Sequence, residues 1–237
     1  MIKEALEYIV NLSEPETFSI GNQTYSDKEL HRVSFNPKAD PIVMNTLGSL
    51  VDYLLCGHDK TDEKMFVHIV SPTEVHLFSI LDDERKRETP VIVKAQLPEF
   101  KFGMFMDKEE FCIGMQAKFI QNEDRDLLLK FAGTVESGTV AEYGDDGVTQ
   151  KATIRQGVAS KQTAIVPNPV CLIARRTFIE VNQPDGKYIF RMRQNGSGVS
   201  CALFEADGGA WMIEAKKSIR SYLENALDTV SGLVFLS

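Results

Sequence analysis

The chain has 237 residues, of which 43% are hydrophobic and 25% charged, and its formal net charge is -8. This length and composition suffice for a hydrophobic core and exclude disordered, collagen-like and disulfide-rich proteins. No apolar run reaches the length of a membrane span, and the first residues lack the apolar segment of a signal peptide. We therefore expect a folded protein that stays in the cytoplasm.

The four cysteines are spread singly along the chain and form no CxxC pair. This spacing favours neither a disulfide framework nor a zinc module, and it is typical of a protein in a reducing compartment. The cysteines are Cys56, Cys112, Cys171 and Cys201.

The first half of the chain predicts two helices, a hairpin and a meander. Leu47, Leu50 and Leu54 recur at helical spacing, and Gly57 stands where the glycine after a helix belongs. In chain order we expect a helix over residues 2–10, a hairpin over 17–20 and 23–26, a helix over 47–55, and antiparallel strands over 65–70, 75–81 and 91–97.

The second half of the chain predicts mostly strands. Asp107 and Glu110 have the spacing of a capping box and indicate a helix over residues 108–121. We expect strands over 127–135, 138–143, 148–155, 171–181, 187–193, 199–206 and 210–215, with a hairpin link at 144–147, and a closing helix over 217–228 that covers one side of the last strands. The predicted class is α+β, with antiparallel meanders and a few short covering helices.

The polar stretch over residues 156–168 is the best candidate for a boundary between two lobes. It would separate an N-terminal α+β lobe, residues 1–160, from a C-terminal antiparallel sheet with its closing helix, residues 161–237. The alternative is one continuous domain, because no long linker rich in Gly, Ser or Pro divides the halves.

A basic segment interrupts the acidic chain. Residues 1–150 hold 15 basic and 27 acidic side chains, whereas residues 151–220 hold 11 basic and 5 acidic. Successive strand residues point to opposite faces, so the strand over 187–193 places three cations on one face. These are Lys187, Arg191 and Arg193, and Arg175, Arg176, Arg155 and Lys161 on neighbouring segments could converge on the same surface.

This cluster supports two interpretations. A guanidinium group makes two charge-assisted hydrogen bonds to adjacent phosphate oxygens, so the cations could form a pocket for an anion or a nucleotide. Alternatively, they form the solvated face of an antiparallel sheet. The net negative charge argues against binding along extended duplex DNA.

Two histidines on consecutive strands form the best candidate for a metal site. His68 and His76 would face each other if the predicted strands pair in that register. A third ligand would have to come from Glu74 or Asp82, and the spacing matches no recognised metal motif. The alternative is a pair of ordinary strand histidines.

The sequence contains no recognised catalytic or cofactor motif. It lacks the GxSxG elbow, the GxxxxGK[ST] phosphate loop and the GxGxxG fingerprint. We therefore predict no catalytic residue and no cofactor. Trp211, on a predicted strand, could stack on a base or anchor a partner, or it could be buried beneath the closing helix.

The order of elements resembles a known family. The leucine-rich helix over residues 46–55, a strand pair, the capped helix with Phe111 and Phe119, and the strand over 199–205 resemble the YfdQ-like family of bacteriophage and prophage proteins. The resemblance covers roughly residues 40–225. It implies a phage-encoded protein that works in the cytoplasm of a bacterial host, and it supplies no catalytic residue.

Three functional classes follow. The first is a non-enzymatic phage accessory protein for counter-defence or host takeover, which binds a host factor or sequesters a nucleotide signal. The second is a single-stranded nucleic-acid-binding protein of phage recombination or replication. The third is a metal-dependent hydrolase or nuclease. We also expect a homo-oligomer, because the apolar tail over residues 232–236 could form a packing strand. The alternative is that this tail completes the core of its own chain.

Overall fold

The computed structural model describes residues 2–11, 15–21, 23–29, 38–57, 59, 64–143, 150–156, 160–165, 168–195 and 198–237. It divides the chain into two units, Met1–Ala39 and Asp40–Ser237. Among the described residues, no helix combines the length and the apolar composition that crossing a bilayer requires.

The described part of the first unit contains one helix and the predicted hairpin. Helix α1 spans Ile2–Asn11, and strands β1 (Thr17–Ile20) and β2 (Gln23–Ser26) pair antiparallel. Gly21 has a φ of 64°, which suits the tight connection between these strands. Phe18 stacks on Tyr25 across the hairpin, with 6.1 Å between the ring centroids.

The second unit carries the remaining elements. In chain order they are β3 (Ile42–Met44), α2 (Leu47–Cys56), β4 (Met65–Ser71), β5 (Glu74–Ser79), β6 (Val91–Lys94), β7 (Met106–Asp107), α3 (Lys108–Lys118), β8 (Phe119–Ile120), α4 (Glu123–Thr134), β9 (Val135–Tyr143), β10 (Gln150–Gln156), β11 (Ser160–Ile165), β12 (Val170–Ala174), β13 (Gly186–Asn195), β14 (Gly198–Glu205), α5 (Ala210–Ala226) and β15 (Leu233–Leu236). The predicted α+β class is confirmed.

The first sheet has the strand order β15-β4-β5-β6-β3. The predicted antiparallel meander of β4, β5 and β6 is confirmed, and its register places His68 directly opposite His76. Both outer strands run parallel to their neighbours, β15 beside β4 and β3 beside β6. These two edges connect segments that are distant in sequence, which a meander alone does not predict.

Helices α2 and α5 share a hydrophobic core with this sheet. Helix α2 begins after Thr46, whose side chain accepts a hydrogen bond from Ser49 N, and ends at Gly57, whose φ is 66°. The buried side chains of this core come from the strands, from both helices, from the connection after β12 and from the residue that follows α5: Leu47, Leu50, Val67, Ile69, Val75, Leu77, Val91, Val93, Phe178, Val181, Ile219, Leu223 and Leu227.

The second sheet has the strand order β7-β14-β13-β12-β8, and helices α3 and α4 contribute to its core. Asp107 caps α3 by accepting a hydrogen bond from Glu110 N at 2.8 Å, which confirms the predicted helix start. Along β13, Tyr188, Phe190 and Met192 are buried in this core. The cations that alternate with them therefore lie on the opposite face.

Residues 127–135 were predicted as a strand, and this prediction is wrong. They belong mainly to helix α4, which Asn122 caps by accepting a hydrogen bond from Arg125 N at 2.8 Å. Acidic residues occupy the first turn, where they interact favourably with the helix dipole. Leu128, Phe131 and Ala132 are buried at helical spacing, so tertiary packing selects the helix.

Residues 210–215 were also predicted as a strand, and they instead open helix α5. Gly209 precedes the helix with a φ of 81°. Ala215, Ile219 and Leu223 are buried at intervals of four residues, so the apolar stripe of the closing helix begins earlier than the sequence indicated. Trp211 therefore lies in the first turn of a helix.

The packing of α5 and β15 differs from the predicted lobes. Both elements belong to the first sheet and its core, although they come from the C-terminal segment. The predicted division at residues 160 and 161 therefore does not coincide with the division in the structure, which lies between Ala39 and Asp40. The physical reason is that the apolar face of α5 completes the core begun by β4, β5 and β6.

A third, antiparallel sheet has the order β11-β10-β9. The predicted hairpin link at residues 144–147 lies outside the described residues. The predicted strand over 171–181 is shorter than expected, because β12 ends at Ala174. Beyond it, the backbone N–H groups of Arg176 and Thr177 donate to the side chain of Gln183 and not to a neighbouring strand.

Candidate functional site

Arg176, one of the five predicted site cations, is a buried structural residue. It is 8% exposed, and its Nη1 donates a hydrogen bond to Oε1 of Glu205 at 2.8 Å. Its Nη2 lies 3.7 Å from Oδ2 of Asp207. Burial lowers the pKa of the Arg176 guanidinium, whereas the charges of Glu205 and Asp207 act to raise it. These partners already neutralise most of its charge.

Two residues of β13 shape the space around Arg176. A Cβ atom at Gly186 would clash with Nη2 of Arg176 and would lie 2.9 Å from the hydroxyl of Tyr188. That hydroxyl is buried and has no hydrogen-bond partner among the described residues. Burial raises the pKa of Tyr188 far above its ordinary value. Glycine at this position therefore leaves room for the Arg176 guanidinium beside the strand.

Arg175 differs from Arg176 in its exposure and in its interaction partners. Its side chain is exposed, and within the described part of the chain its guanidinium has neither an ion-pair partner nor a hydrogen bond. Its backbone N–H donates to the carbonyl of Lys118 at 2.9 Å. This bond brings two cationic residues to the same edge of the second sheet, where β8 pairs with β12.

Two adjoining cavities meet at Arg175. The first, the Phe100 cavity, has a volume of about 380 Å³ and is lined by Phe100, Phe102, Lys118, Arg175 and Arg176. The second, the Asn45 cavity, has a volume of about 270 Å³ and includes Asn45, Gln96, Glu180 and Arg175. Both also share Ala95, Leu97 and Pro98, which lie in the segment that follows β6.

The Phe100 cavity combines a rigid aromatic floor with cations. Phe100 packs edge-to-face on Phe119 with 4.9 Å between centroids, and Phe102 stacks on Tyr188 at 5.3 Å. The ammonium of Lys118 donates to the backbone carbonyl of Glu99 and so lies over this segment. An apolar wall with a few charged groups is the usual composition of a small-molecule site.

The Asn45 cavity has a mostly apolar wall that carries a few polar side chains and one carboxylate. Glu180 Oε1 accepts a hydrogen bond from Gly48 N at 3.3 Å and therefore occupies the N-terminal turn of α2. Asn45 and Gln96 are exposed, and their side-chain amides make no hydrogen bond to any described residue. The side-chain amide of Gln183 already has partners in the loop backbone. Its oxygen accepts a hydrogen bond from Arg176 N, and its nitrogen donates one to the carbonyl of Phe178.

The remaining three predicted cations do not line these two cavities. The guanidinium of Arg193 lies 4.1 Å from the ring centroid of Phe105, and Arg191 donates to the carbonyl of Phe190 at 3.1 Å. Lys187 lines a separate and larger cavity of about 730 Å³ beside Trp211. The structure therefore groups Arg175 with Arg176 and leaves Lys187, Arg191 and Arg193 on the outer face of β13.

The larger Trp211 cavity is unsuited to an anion. Its wall holds the carboxylates of Asp185, Asp207 and Glu214 and only one cation, Lys187. Another cavity of about 360 Å³, beside Tyr53 and Asp59, has no cation among the described residues of its wall. The Phe100 cavity is lined by three cationic residues, Lys118, Arg175 and Arg176, and by one acidic residue, Glu99. The side chains of Arg155 and Lys161 lie outside the described part of the structure.

The two strand histidines face each other as predicted. Nε2 of His76 lies 2.8 Å from Oε1 of Glu74, and the Lys94 ammonium lies 3.3 Å from the same oxygen. The hydrogen bond with His76, followed by Lys94, lowers the pKa of Glu74 despite an opposing effect of burial. No group of three potential metal ligands was found among the residues that the structure describes.

Sequence reasoning missed most of the cavity residues. Lys118 lies at the end of a helix, and Asn45 and Gln96 lie in connections, so none belongs to the basic strand segment. The segment over residues 98–102 carries the one usable signal, since Phe100 and Phe102 alternate with Glu99 and Lys101 outside any predicted element. Aromatic and charged residues in an irregular connection are a common feature of binding loops.

Comparisons with known proteins gave no match to a family model, to a curated protein or to a solved structure. The resemblance to the YfdQ-like family stays a prediction.

Proposed function

We propose that this chain is a non-enzymatic binding protein that holds a small phosphate-bearing ligand, most simply a nucleotide, in the Phe100 cavity. The observation that carries the proposal is the exposed Arg175, whose guanidinium has no partner among the described residues, at a cavity with an aromatic floor. The cation that lacks a protein partner is the one available to a ligand.

The positive charges of Arg175 and Lys118 favour binding of a phosphate group at the Phe100 cavity. Arg175 and Lys118 both line the Phe100 cavity, whereas Glu205 and Asp207 already neutralise most of the charge of the buried Arg176. The planar guanidinium of Arg175 can form two parallel hydrogen bonds to phosphate oxygens, and the Lys118 ammonium adds a point charge.

The aromatic floor of the Phe100 cavity is suited to binding a nucleobase. Phe100 is 8% exposed and Phe102 is partly exposed, and both rings are held by other aromatic rings of the core. A base that packs against these rings is removed from water at little conformational cost, since the floor is already ordered. The cavity volume of about 380 Å³ lies within the range of small-ligand sites.

The biological role follows from the resemblance and not from the cavity. We propose that the chain is a bacteriophage or prophage accessory protein of the bacterial cytoplasm, which sequesters a nucleotide signal and so weakens host defence. Binding of a host protein is the alternative within the same class. Tight binding without turnover is what sequestration requires.

Native mass spectrometry of the purified full chain, mixed with nucleoside monophosphates and short oligonucleotides, tests the binding. A nucleotide-sized adduct at fixed stoichiometry that disappears in Arg175→Ala is the expected result, because a charge-assisted contact is lost without disturbing the core. The matched control is Arg193→Ala, an exposed arginine outside the cavity. Equal binding by wild type and Arg175→Ala, or no adduct at all, would overturn the proposal.

One observation favours the single-stranded nucleic-acid function as a second candidate. Arg193 and Phe105 place a cation and an aromatic ring together on the outer face of β13, and Lys187 lies on the same face. In that case oligonucleotide affinity should fall steeply with salt and should depend on Arg193. The guanidinium already covers one face of Phe105, which leaves less of that ring for a base.

We also propose that the protein is a homo-oligomer that pairs through β15. This strand is an edge of the first sheet, and its sequence Leu-Val-Phe-Leu contains no charged residue and no proline. Val234 and Leu236 are each 38% exposed. Soluble proteins usually protect such edges, and antiparallel pairing of two copies across a two-fold axis would cover both.

A further inference from the structure

The two cavities lie side by side along a shared wall, and together they are called the groove. Arg175 lines both cavities, and the shared residues Leu97 and Pro98 form part of both walls. Lys118 and Arg176 lie on the Phe100 side of this junction. A ligand that extends through the groove therefore meets positive charge at its centre.

The far end of the groove disfavours a second phosphate. Glu180 lines the Asn45 cavity, and its carboxylate accepts a hydrogen bond from Gly48 N. It thereby occupies the helix N-terminus that would otherwise attract an anion. A phosphate placed beside this carboxylate would be repelled, so the negative charge of the ligand is confined to the junction at Arg175.

The same end offers hydrogen bonds to a neutral group. The amides of Asn45 and Gln96 line the Asn45 cavity and have no partner among the described residues. Each amide carries one acceptor oxygen and two donor hydrogens. It can therefore accept one hydrogen bond from the edge of an adenine or guanine base and donate another to it. The chemistry of this cavity therefore suits a nucleobase.

We infer that the ligand is a dinucleotide whose bridging phosphate binds Arg175 and whose two bases occupy the Phe100 cavity and the Asn45 cavity. This inference rests on the proposed function, and it specifies the ligand class of the same site. A nucleoside triphosphate fits less well, because it carries its charge at one end and would place it beside Glu180 or against the aromatic floor.

Calorimetric titration of the full chain distinguishes these ligands. The probes are ApA, GpG and UpU, each a dinucleoside with one bridging phosphate, and the matching nucleoside monophosphates. We expect at least one dinucleoside to bind about tenfold or more tightly than its monophosphate, because the second base binds without a further loss of translational freedom.

A double variant tests the second base position. Asn45→Ala with Gln96→Ala should abolish the preference for the dinucleoside and leave the affinity for the monophosphate unchanged. Asn225→Ala, an exposed asparagine on α5 outside both cavities, is the matched control and should retain the preference. Circular dichroism checks that the double variant is folded.

The outcomes separate the inference from the proposed function. If a monophosphate binds through Arg175 and no dinucleoside binds better, the inference is wrong and the proposed function stands. If the dinucleoside preference survives in the folded double variant, the assignment of Asn45 and Gln96 is wrong. If none of the six probes binds, both are overturned.

Discussion

The guanidinium of Arg176 lies over the indole ring of Trp211, with 3.9 Å between the guanidinium carbon and the ring centroid. Arg176 follows β12 of the second sheet, whereas Trp211 lies in the first turn of α5, which packs in the core of the first sheet. The same guanidinium binds Glu205 at the end of β14. This stacked cation therefore connects the two sheets within the second unit.

Removal of the Arg176 side chain should destabilise the protein. Arg176→Ala leaves the largely buried Asp207 without its cation and exposes one face of Trp211, so we expect the free energy of unfolding to fall by about 3 kcal/mol. Urea unfolding followed by tryptophan fluorescence measures this. Arg193→Ala, which loses an exposed cation–π contact, should cost less than about 1 kcal/mol. Equal losses in the two variants would contradict a connecting role for Arg176.

Gly186→Ala should also destabilise the protein, because the new methyl group collides with Arg176 and Tyr188. Overpacking of this kind costs about 1–3 kcal/mol. The control is Gly133→Ala in helix α4, where a Cβ atom meets nothing within 4 Å. That change should stabilise the helix by about 0.5–1 kcal/mol, since alanine has the higher helix propensity. Thermal unfolding of both variants should therefore give shifts of opposite sign.

Tyr188→Phe should leave the stability unchanged or raise it. The tyrosine hydroxyl is buried without a hydrogen-bond partner among the described residues, so its removal relieves a desolvation cost. In contrast, Tyr53→Phe removes a hydrogen bond to Asp59 at 3.1 Å and should lower the stability by about 0.5–1 kcal/mol. A loss of more than about 1 kcal/mol in Tyr188→Phe would show that its hydroxyl is satisfied in solution.

The stability of the first sheet should depend on pH through Glu74. Its pKa in the folded state lies below the ordinary value of 4.5, because His76 and Lys94 stabilise the carboxylate. The resulting stability is present above pH 4.5 and is lost as the pH falls through the folded-state pKa. Glu74→Gln should therefore flatten the acid limb of a plot of unfolding free energy against pH.

A His76→Asn background provides the control for this assignment. If the hydrogen bond to His76 is the main cause, Glu74→Gln should change the acid limb less in that background than in the wild type. An unchanged effect would assign the lowered pKa to Lys94 instead.

Val234→Lys should dissociate the proposed oligomer. A charged side chain on the edge strand β15 opposes pairing with a second copy, so the mass measured by light scattering should fall to that of one chain. The same substitution at Val70, which is 40% exposed but lies on the inner strand β4, should not alter the mass. A wild-type protein that is already monomeric would refute the proposal.

The sequence alone determined the elements that rest on local signals. Gly57 ends α2, Asp107 begins α3, and the alternation along β13 places its cations on one face, because caps and strand periodicity depend only on neighbouring residues. The opposed positions of His68 and His76 also followed from a short turn and a regular strand pair.

Only the tertiary structure decided between helix and strand in two segments and determined which arginine acquires ion-pair partners. Leu127–Val135 and Ala210–Ala215 contain runs that suit either a strand or a helix, and burial against different sheets selected the helix in both. It also separated Arg175 from Arg176, two adjacent arginines that the sequence cannot distinguish. Carboxylates from β14 and the following turn neutralise Arg176, whereas Arg175 lines two cavities, because long-range packing determines which charges acquire partners.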